Sequence, residues 1–298
     1  ENRVEGGCYH DDGDHHFFEG NRKPPGTQSY IVLNLPRSGS SWLQEVSMMH
    51  PGVKVQFELG IEKADQALAC KQCVRKSIPN TKFPGRIPPK QHPPAACGMS
   101  LFSEANGIDN VKDVAKKHDA KLLILLRRNH VAHAVSSYRH FTSGHNNRVP
   151  WDAGKMTSEV QKLQAGYEKL LQFAARVGKP TYLIWYENMS REPEKVWNGI
   201  ERFLGLEPTN MTSFSELHPK ASTKESIQYL DRLSDLQKQL SGVPWRRMIL
   251  DGDYDNTIDF TEEFASVCRM FPAASLTFQD MACPQALALS ARRNATAR

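Results

Sequence analysis

Arg37, Ser38, Gly39, Ser40 and Ser41 stand in a row where an apolar run, Ile31 to Leu35, gives way past Pro36 to Trp42, Leu43 and Val46 at helical spacing. A strand that runs through a small-residue loop into a helix aims several backbone N–H groups at one point, the positive end of the helix dipole. Such a point holds an anion. A nucleoside-triphosphatase loop reads G-x-x-x-x-G-K-[ST], with the Lys on the terminal phosphates and the hydroxyl on magnesium. Here the cation, Arg37, precedes the glycine, and no Lys-Ser/Thr pair follows it. The loop therefore suits an anion of lower charge than a triphosphate tail. A kinase-like phosphotransferase would need the missing magnesium ligand.

A second set of residues has similar chemistry. Arg127 and Arg128 end the apolar run AKLLILL (120–126), and Ser136 lies eight residues beyond Arg128. With Asn129 opening a helix, Ser136 falls two turns in, on a face that looks back toward the strand end. An Arg fork with a hydroxyl there suits a second phosphate.

The elements that must position these groups are legible as strands alternating with helices. Continuous apolar runs predict buried strands at 29–35, 97–102, 120–126 and 180–186. Helical patterns fall at 109–118, 129–141, 157–177 and 191–204, and the helix after the first loop stops near His50-Pro51-Gly52. This alternation predicts an α/β fold, a central parallel sheet flanked by helices. Residues 1–28 read as an N-terminal arm, whose HDDGDHH run is solvated rather than a metal cluster. Residues 29–298 read as one domain, with 63–96 as a Lys- and Pro-rich lid or insertion and 286–298 as a frayed helix.

A chain of 298 residues, 39% hydrophobic, can bury a sizeable core. The formal charge of +5 is spread without the dense Lys/Arg face of a nucleic-acid binder. No apolar stretch reaches the roughly 18 residues that cross a bilayer. The chain opens on Glu1 rather than Met, which leaves room for a leader or anchor ahead of it. Six cysteines and N-x-S/T acceptors at Asn188, Asn210 and Asn294 favour a Golgi or secretory lumen over the cytoplasm.

The stretches PRSGSSW and RRNHVAHAVSSY, followed by YLIWYENMSREPEKVWNGIERFLGL (182–206), resemble in order and type the sulfotransferases that use 3′-phosphoadenosine 5′-phosphosulfate (PAPS). The resemblance spans about residues 29–206 and implies a P-loop-like sulfotransferase fold. It implies that Arg37 polarises the bridging oxygen as the sulfuryl group leaves, and that Ser38, Gly39, Ser40 and Ser41 bind the 5′-phosphate. Trp42 and Tyr186 match adenine contacts of the cytosolic branch, and Arg128 with Ser136 matches the clamp on the 3′-phosphate. Arg247, in RRMILDGDY (246–254), stands at the Arg of that branch's late phosphate loop, whose Lys and first Gly are absent here.

The implied reaction is in-line transfer to a hydroxyl or amine, with 3′,5′-adenosine bisphosphate as product and no metal required. The acceptor must lose a proton to a general base. Glu58 follows the first helix, where carbohydrate and trehalose-type branches place a carboxylate. His92, in PKQHPP, resembles the cytosolic K-x-H-x-P. Glu104 follows the strand CGMSLF, in which Ser100 replaces the Lys of carbohydrate branches. HPGV and the CGMSLF strand lie nearest the carbohydrate and trehalose-type branches, and the resemblance implies a carbohydrate or another small polar metabolite as acceptor. A non-catalytic adenosine-bisphosphate binder would keep Arg37, Arg128 and Ser136 without a working base. Cys70-x-x-Cys73 with His92 and Cys97 forms either a zinc site or, in an oxidising compartment, a disulfide that pins the lid. Cys268 and Cys283 are placed to close a local C-terminal loop.

Overall fold

Every position of QSYIVLN is apolar, small or uncharged, and it forms β1 (Gln28–Asn34), buried along all but its first residue. The chain continues through α1 (Ser40–Met49), β2 (Val53–Gln56), α2 (Ala64–Leu68), β3 (Ala96–Phe102) and α3 (Ile108–Lys117). Next come β4 (Lys121–Leu126), α4 (His130–Thr142), α5 (Ala153–Val177), β5 (Thr181–Trp185), α6 (Tyr186–Arg191) and α7 (Pro193–Leu204). The last elements are α8 (Leu233–Gln239), α9 (Arg247–Leu250), α10 (Tyr254–Thr257), α11 (Phe260–Met270), β6 (Leu276–Phe278), β7 (Met281–Ala282) and α12 (Cys283–Thr296). This computed structural model describes residues 26–56, 64–69, 94–102, 108–142, 148–209, 228–231, 233–240, 242–250 and 254–296.

The seven strands lie in the order β2-β3-β1-β4-β5-β6-β7, parallel except for the last pair. Side chains alternate across the sheet, so β1, β4 and β5 each feed two cores. Ile31, Leu33, Leu122, Ile124 and Leu183 pack under α2, α3, α5 and α11 on one face. Tyr30, Val32, Leu123, Leu125 and Ile184 pack under α1 and α7 on the other. A third cluster joins α4 and the start of α5 to residues 230–249.

The α/β expectation holds, with local differences. The helix expected from 157 begins at Ala153, because Asp152 caps it by accepting the Lys155 N–H. The helix expected over 191–204 starts at Pro193, at its first position, and a short helix over Tyr186–Arg191 precedes it. Residues 64–68, inside the expected lid, are a helix sunk in the core. The C-terminal segment is not frayed: α12 buries Ala286 and Ser290. It is bonded to α11 through Cys268–Cys283, whose Cα atoms lie 5.4 Å apart. Cys97 is also in a disulfide, which removes it as a zinc thiolate. The acceptor Asn188 is 1% exposed and closed to a glycan.

From β1 the chain turns toward β2 and β3, and from β4 it turns the other way, to β5. Connections therefore diverge between neighbouring β1 and β4, whose Asn34 and Leu125 lie level. In an open α/β sheet, the crevice outside the carboxyl ends at such a reversal is where ligands bind. The Arg37 loop and the Arg127–Arg128 turn flank it.

Candidate functional site

The β1–α1 loop carries two left-handed residues, Arg37 (φ 66°) and Gly39 (φ 103°). At Gly39 a side chain is excluded twice over, because a Cβ would also overlap the Tyr186 ring. Arg37 has no such freedom, and its conformation costs about 1–2 kcal/mol. The neighbours hold it there. Arg127 Nη1 donates to the Arg37 carbonyl at 3.2 Å, and His133 Nε2–H donates to the Pro36 carbonyl at 2.6 Å. No side chain caps α1, so its first turn offers N–H groups to a ligand. Ser38, 0% exposed, keeps its Oγ without a partner.

The β4–α4 turn is fastened from below by Glu187, whose buried carboxylate accepts the N–H groups of Arg128 (3.0 Å) and Asn129 (2.8 Å). Burial and the nearby Asp255 push its pKa up, against the pull of Arg127 and these two bonds. Asn129 caps α4 as expected: its Oδ1 accepts the Ala132 N–H at 2.9 Å, while Nδ2 donates to Asp255 at 3.0 Å. Arg127 is 5% exposed and lies with Cζ 4.5 Å from the centre of the Tyr186 ring.

Two histidines on α4 face this junction. A carbonyl can only accept, so His133 is protonated at Nε2 and its Nδ1 accepts from Tyr167 Oη at 2.9 Å. Burial, with Arg127 adding to it, lowers the His133 pKa to about 3. His130, stacked on Tyr167, is also lowered to about 3 by burial and then by Arg128 and Arg127. Both are neutral at physiological pH. With both nitrogens engaged, His133 is not a proton acceptor. His130 is too weak a base for the task.

Arg128 is a third exposed and meets Glu263 of α11, Nε to Oε1 2.9 Å. Burial works against its charge, but Glu263 and the neighbouring Tyr254 and Glu187 outweigh that and raise its pKa. Ser136 lies half-buried one turn past Ala132 and His133. Trp42 is half-buried against the core under α1, and Ser41 at the loop end is exposed. The fold thus sets the Arg37–Gly39 loop against Tyr186 and Arg127, with Arg128 next along the adjoining strand end. Glu58, His92 and Glu104 lie outside the described residues, as does the Cys70–Cys73 pair.

Four residues here escaped assignment from sequence. Arg127 was visible as half of a tandem, Glu187 as the centre of Y-E-N, and His133 as a helical neighbour of Asn129. Glu263 carried no signal, since nothing local ties it to Arg128.

Residues 103–210 match the model of the sulfotransferase family. The match is confined to this segment. That segment holds the β4–α4 turn, Ser136, Tyr186 and Glu187, and it begins after the β1–α1 loop. Sulfuryl transfer is the general chemistry the family supports. No curated protein sequence matches the chain. Among solved structures it is similar to mouse sulfotransferase SULT7A1 complexed with PAP, at 15% identity and a TM-score of 0.40, over 83% of this chain and 86% of that one. A sulfotransferase from Alicyclobacillus acidocaldarius gives 16% and 0.41, over 74% of this chain and 99% of that one. The sulfotransferase domain of the Synechococcus PCC 7002 olefin synthase gives 15% and 0.37, over 82% and 92%.

Proposed function

We propose that this chain transfers a sulfuryl group from PAPS to a hydroxyl or amine of a carbohydrate or small polar metabolite. One observation carries the reading: at the β1/β4 reversal the fold places an uncapped helix start and a buried unpartnered Ser38 Oγ beside the strand end that carries Arg127 and Arg128. Buried donors left unpaired are costly, and an anion repays them. The donor set suits two separated anionic groups, not a magnesium-bound triphosphate.

PAPS supplies the activated sulfuryl group. The loop N–H groups and the hydroxyls of Ser38, Ser40 and Ser41 bind the 5′-phosphate, and Arg37 balances the charge that gathers on the bridging oxygen. Arg128 and Ser136 grip the 3′-phosphate, while Trp42 and Tyr186 border the adenine. The acceptor oxygen or nitrogen bonds to sulfur as the bond from sulfur to the bridging oxygen breaks. The acceptor's proton goes to a base, for which Glu58, His92 and Glu104 are the candidates. Positioned cations and donors carry most of the acceleration in such transfers.

The test is a screen of sugars, alkaloids and phenols with labelled PAPS, with and without EDTA, beside calorimetry with 3′,5′-adenosine bisphosphate. Transfer that survives EDTA supports the reading. Label transfer from ATP with magnesium would favour a kinase, and nucleotide binding without transfer to any acceptor would favour a non-catalytic binder.

A further inference from the structure

Arg127 is a charged side chain buried in the crevice wall, and it is the strand-end arginine with no phosphate assigned to it. Its guanidinium rests on the Tyr186 ring, which itself fills the space a side chain on Gly39 would need. One nitrogen, Nη1, reaches the Arg37 carbonyl at 3.2 Å, while buried Nε has no partner. Ser38, the residue after that carbonyl, also has a buried hydroxyl without a partner. The Glu187 carboxylate, which feels the Arg127 charge, is already committed to two backbone N–H groups.

We propose that Arg127 is the positioning residue of the anion loop. Clamped between the Tyr186 ring and the Arg37 carbonyl, it holds Arg37 in its left-handed conformation and sets a fixed positive charge beneath the 5′ end of the nucleotide. The planar fork matters as much as the charge, since stacking and donating together require a guanidinium. Arg128, one residue on, serves the opposite end. The tandem thus divides one nucleoside bisphosphate between its two phosphates. This inference rests on the nucleotide reading above.

The experiment measures dissociation constants for 3′,5′-adenosine bisphosphate and adenosine 3′-monophosphate, which differ only in the 5′-phosphate. Their ratio isolates that phosphate's share of binding. In Arg127→Met the ratio shrinks about tenfold, as expected for one lost charge-assisted contact, and Arg127→Lys restores only part of it. An unchanged ratio overturns the inference even if the variant melts earlier, because a merely structural residue weakens both ligands alike. Should Arg127→Met fail to fold, Tyr186→Leu decides: it removes the platform, keeps the arginine, and must also shrink the ratio. Wild-type protein that binds neither nucleotide refutes the nucleotide reading itself, which separates that failure from this one.

Discussion

Arg128 and Glu263 meet where a 3′-phosphate is proposed to sit, so carboxylate and ligand compete for one guanidinium. Both side chains are about a third exposed, and solvent screening limits the pair to roughly 0.2–1 kcal/mol. Glu263→Gln should therefore tighten 3′,5′-adenosine bisphosphate about two- to fivefold, read by calorimetry at low salt. Arg128→Ala should cost ~1.5–3 kcal/mol on the bisphosphate and much less on adenosine 5′-monophosphate. Equal weakening of the two ligands would place the 3′-phosphate elsewhere. Gly39 allows a sharper test of the loop. Gly39→Ala forces a Cβ into the Tyr186 ring at a φ that L-residues avoid. It should abolish nucleotide binding and lower stability by about 1–3 kcal/mol, read by calorimetry and thermal melting.

At the scale of elements, the junction between the β1–α1 loop and α4 is a buried polar contact, and it makes stability depend on pH. His130 and His133 titrate near 6.5 in the unfolded chain and near 3 in the folded one. The unfolded state therefore takes up protons first, and stability falls as pH drops from 6.5 toward 3, by up to ~1.4 kcal/mol per unit for each histidine. Glu187 has the opposite sign: its raised pKa favours folding on the acid side of its own titration and partly offsets the loss there. The melting temperature should drop steeply between pH 6.5 and 4.5. In His133→Gln, whose amide can donate and accept along the same path, the drop should be shallower. The same junction shows why some elements were legible in the sequence and others were not. β1, β4 and β5 are buried on both faces, and burial writes itself as unbroken apolar runs. β2, β6 and β7 are short edge or near-edge strands whose few residues leave no period to detect. Arg37, Arg128 and Ser136 could be picked out as candidates because loop and helix spacing is local. The bonds that orient them, from Glu187, His133 and Glu263, join residues far apart in the chain.

Across the whole molecule, α11 and α12 form a C-terminal buttress that reaches the site. Phe260 and Phe264 of α11 pack around Trp185 at the end of β5, with Phe278 of β6 edge-on to the same indole at 4.8 Å. Asp259 caps α11 through the Thr261 and Glu262 N–H groups and pairs with Arg293 of α12. Arg269 bridges Glu262 and Ser290. Cys268–Cys283 closes this unit across a separation of 15 residues, for which loop-closure entropy gives about 3 kcal/mol. The double variant Cys268→Ser/Cys283→Ser removes that link while leaving the Cys97 disulfide intact, which a reductant would not. It should lose about 3 kcal/mol of stability, read by urea unfolding. Its effect on the site should run through Glu263 alone, because that side chain is the one contact described between α11 and Arg128. A looser α11 holds Glu263 less firmly on Arg128, so 3′,5′-adenosine bisphosphate should bind slightly tighter, in the same direction as Glu263→Gln. Combining the double variant with Glu263→Gln should then add nothing further to affinity, since both changes release the same guanidinium. Fully additive effects, or weaker binding in the double variant, would mean that the buttress shapes the crevice by a route other than this ion pair.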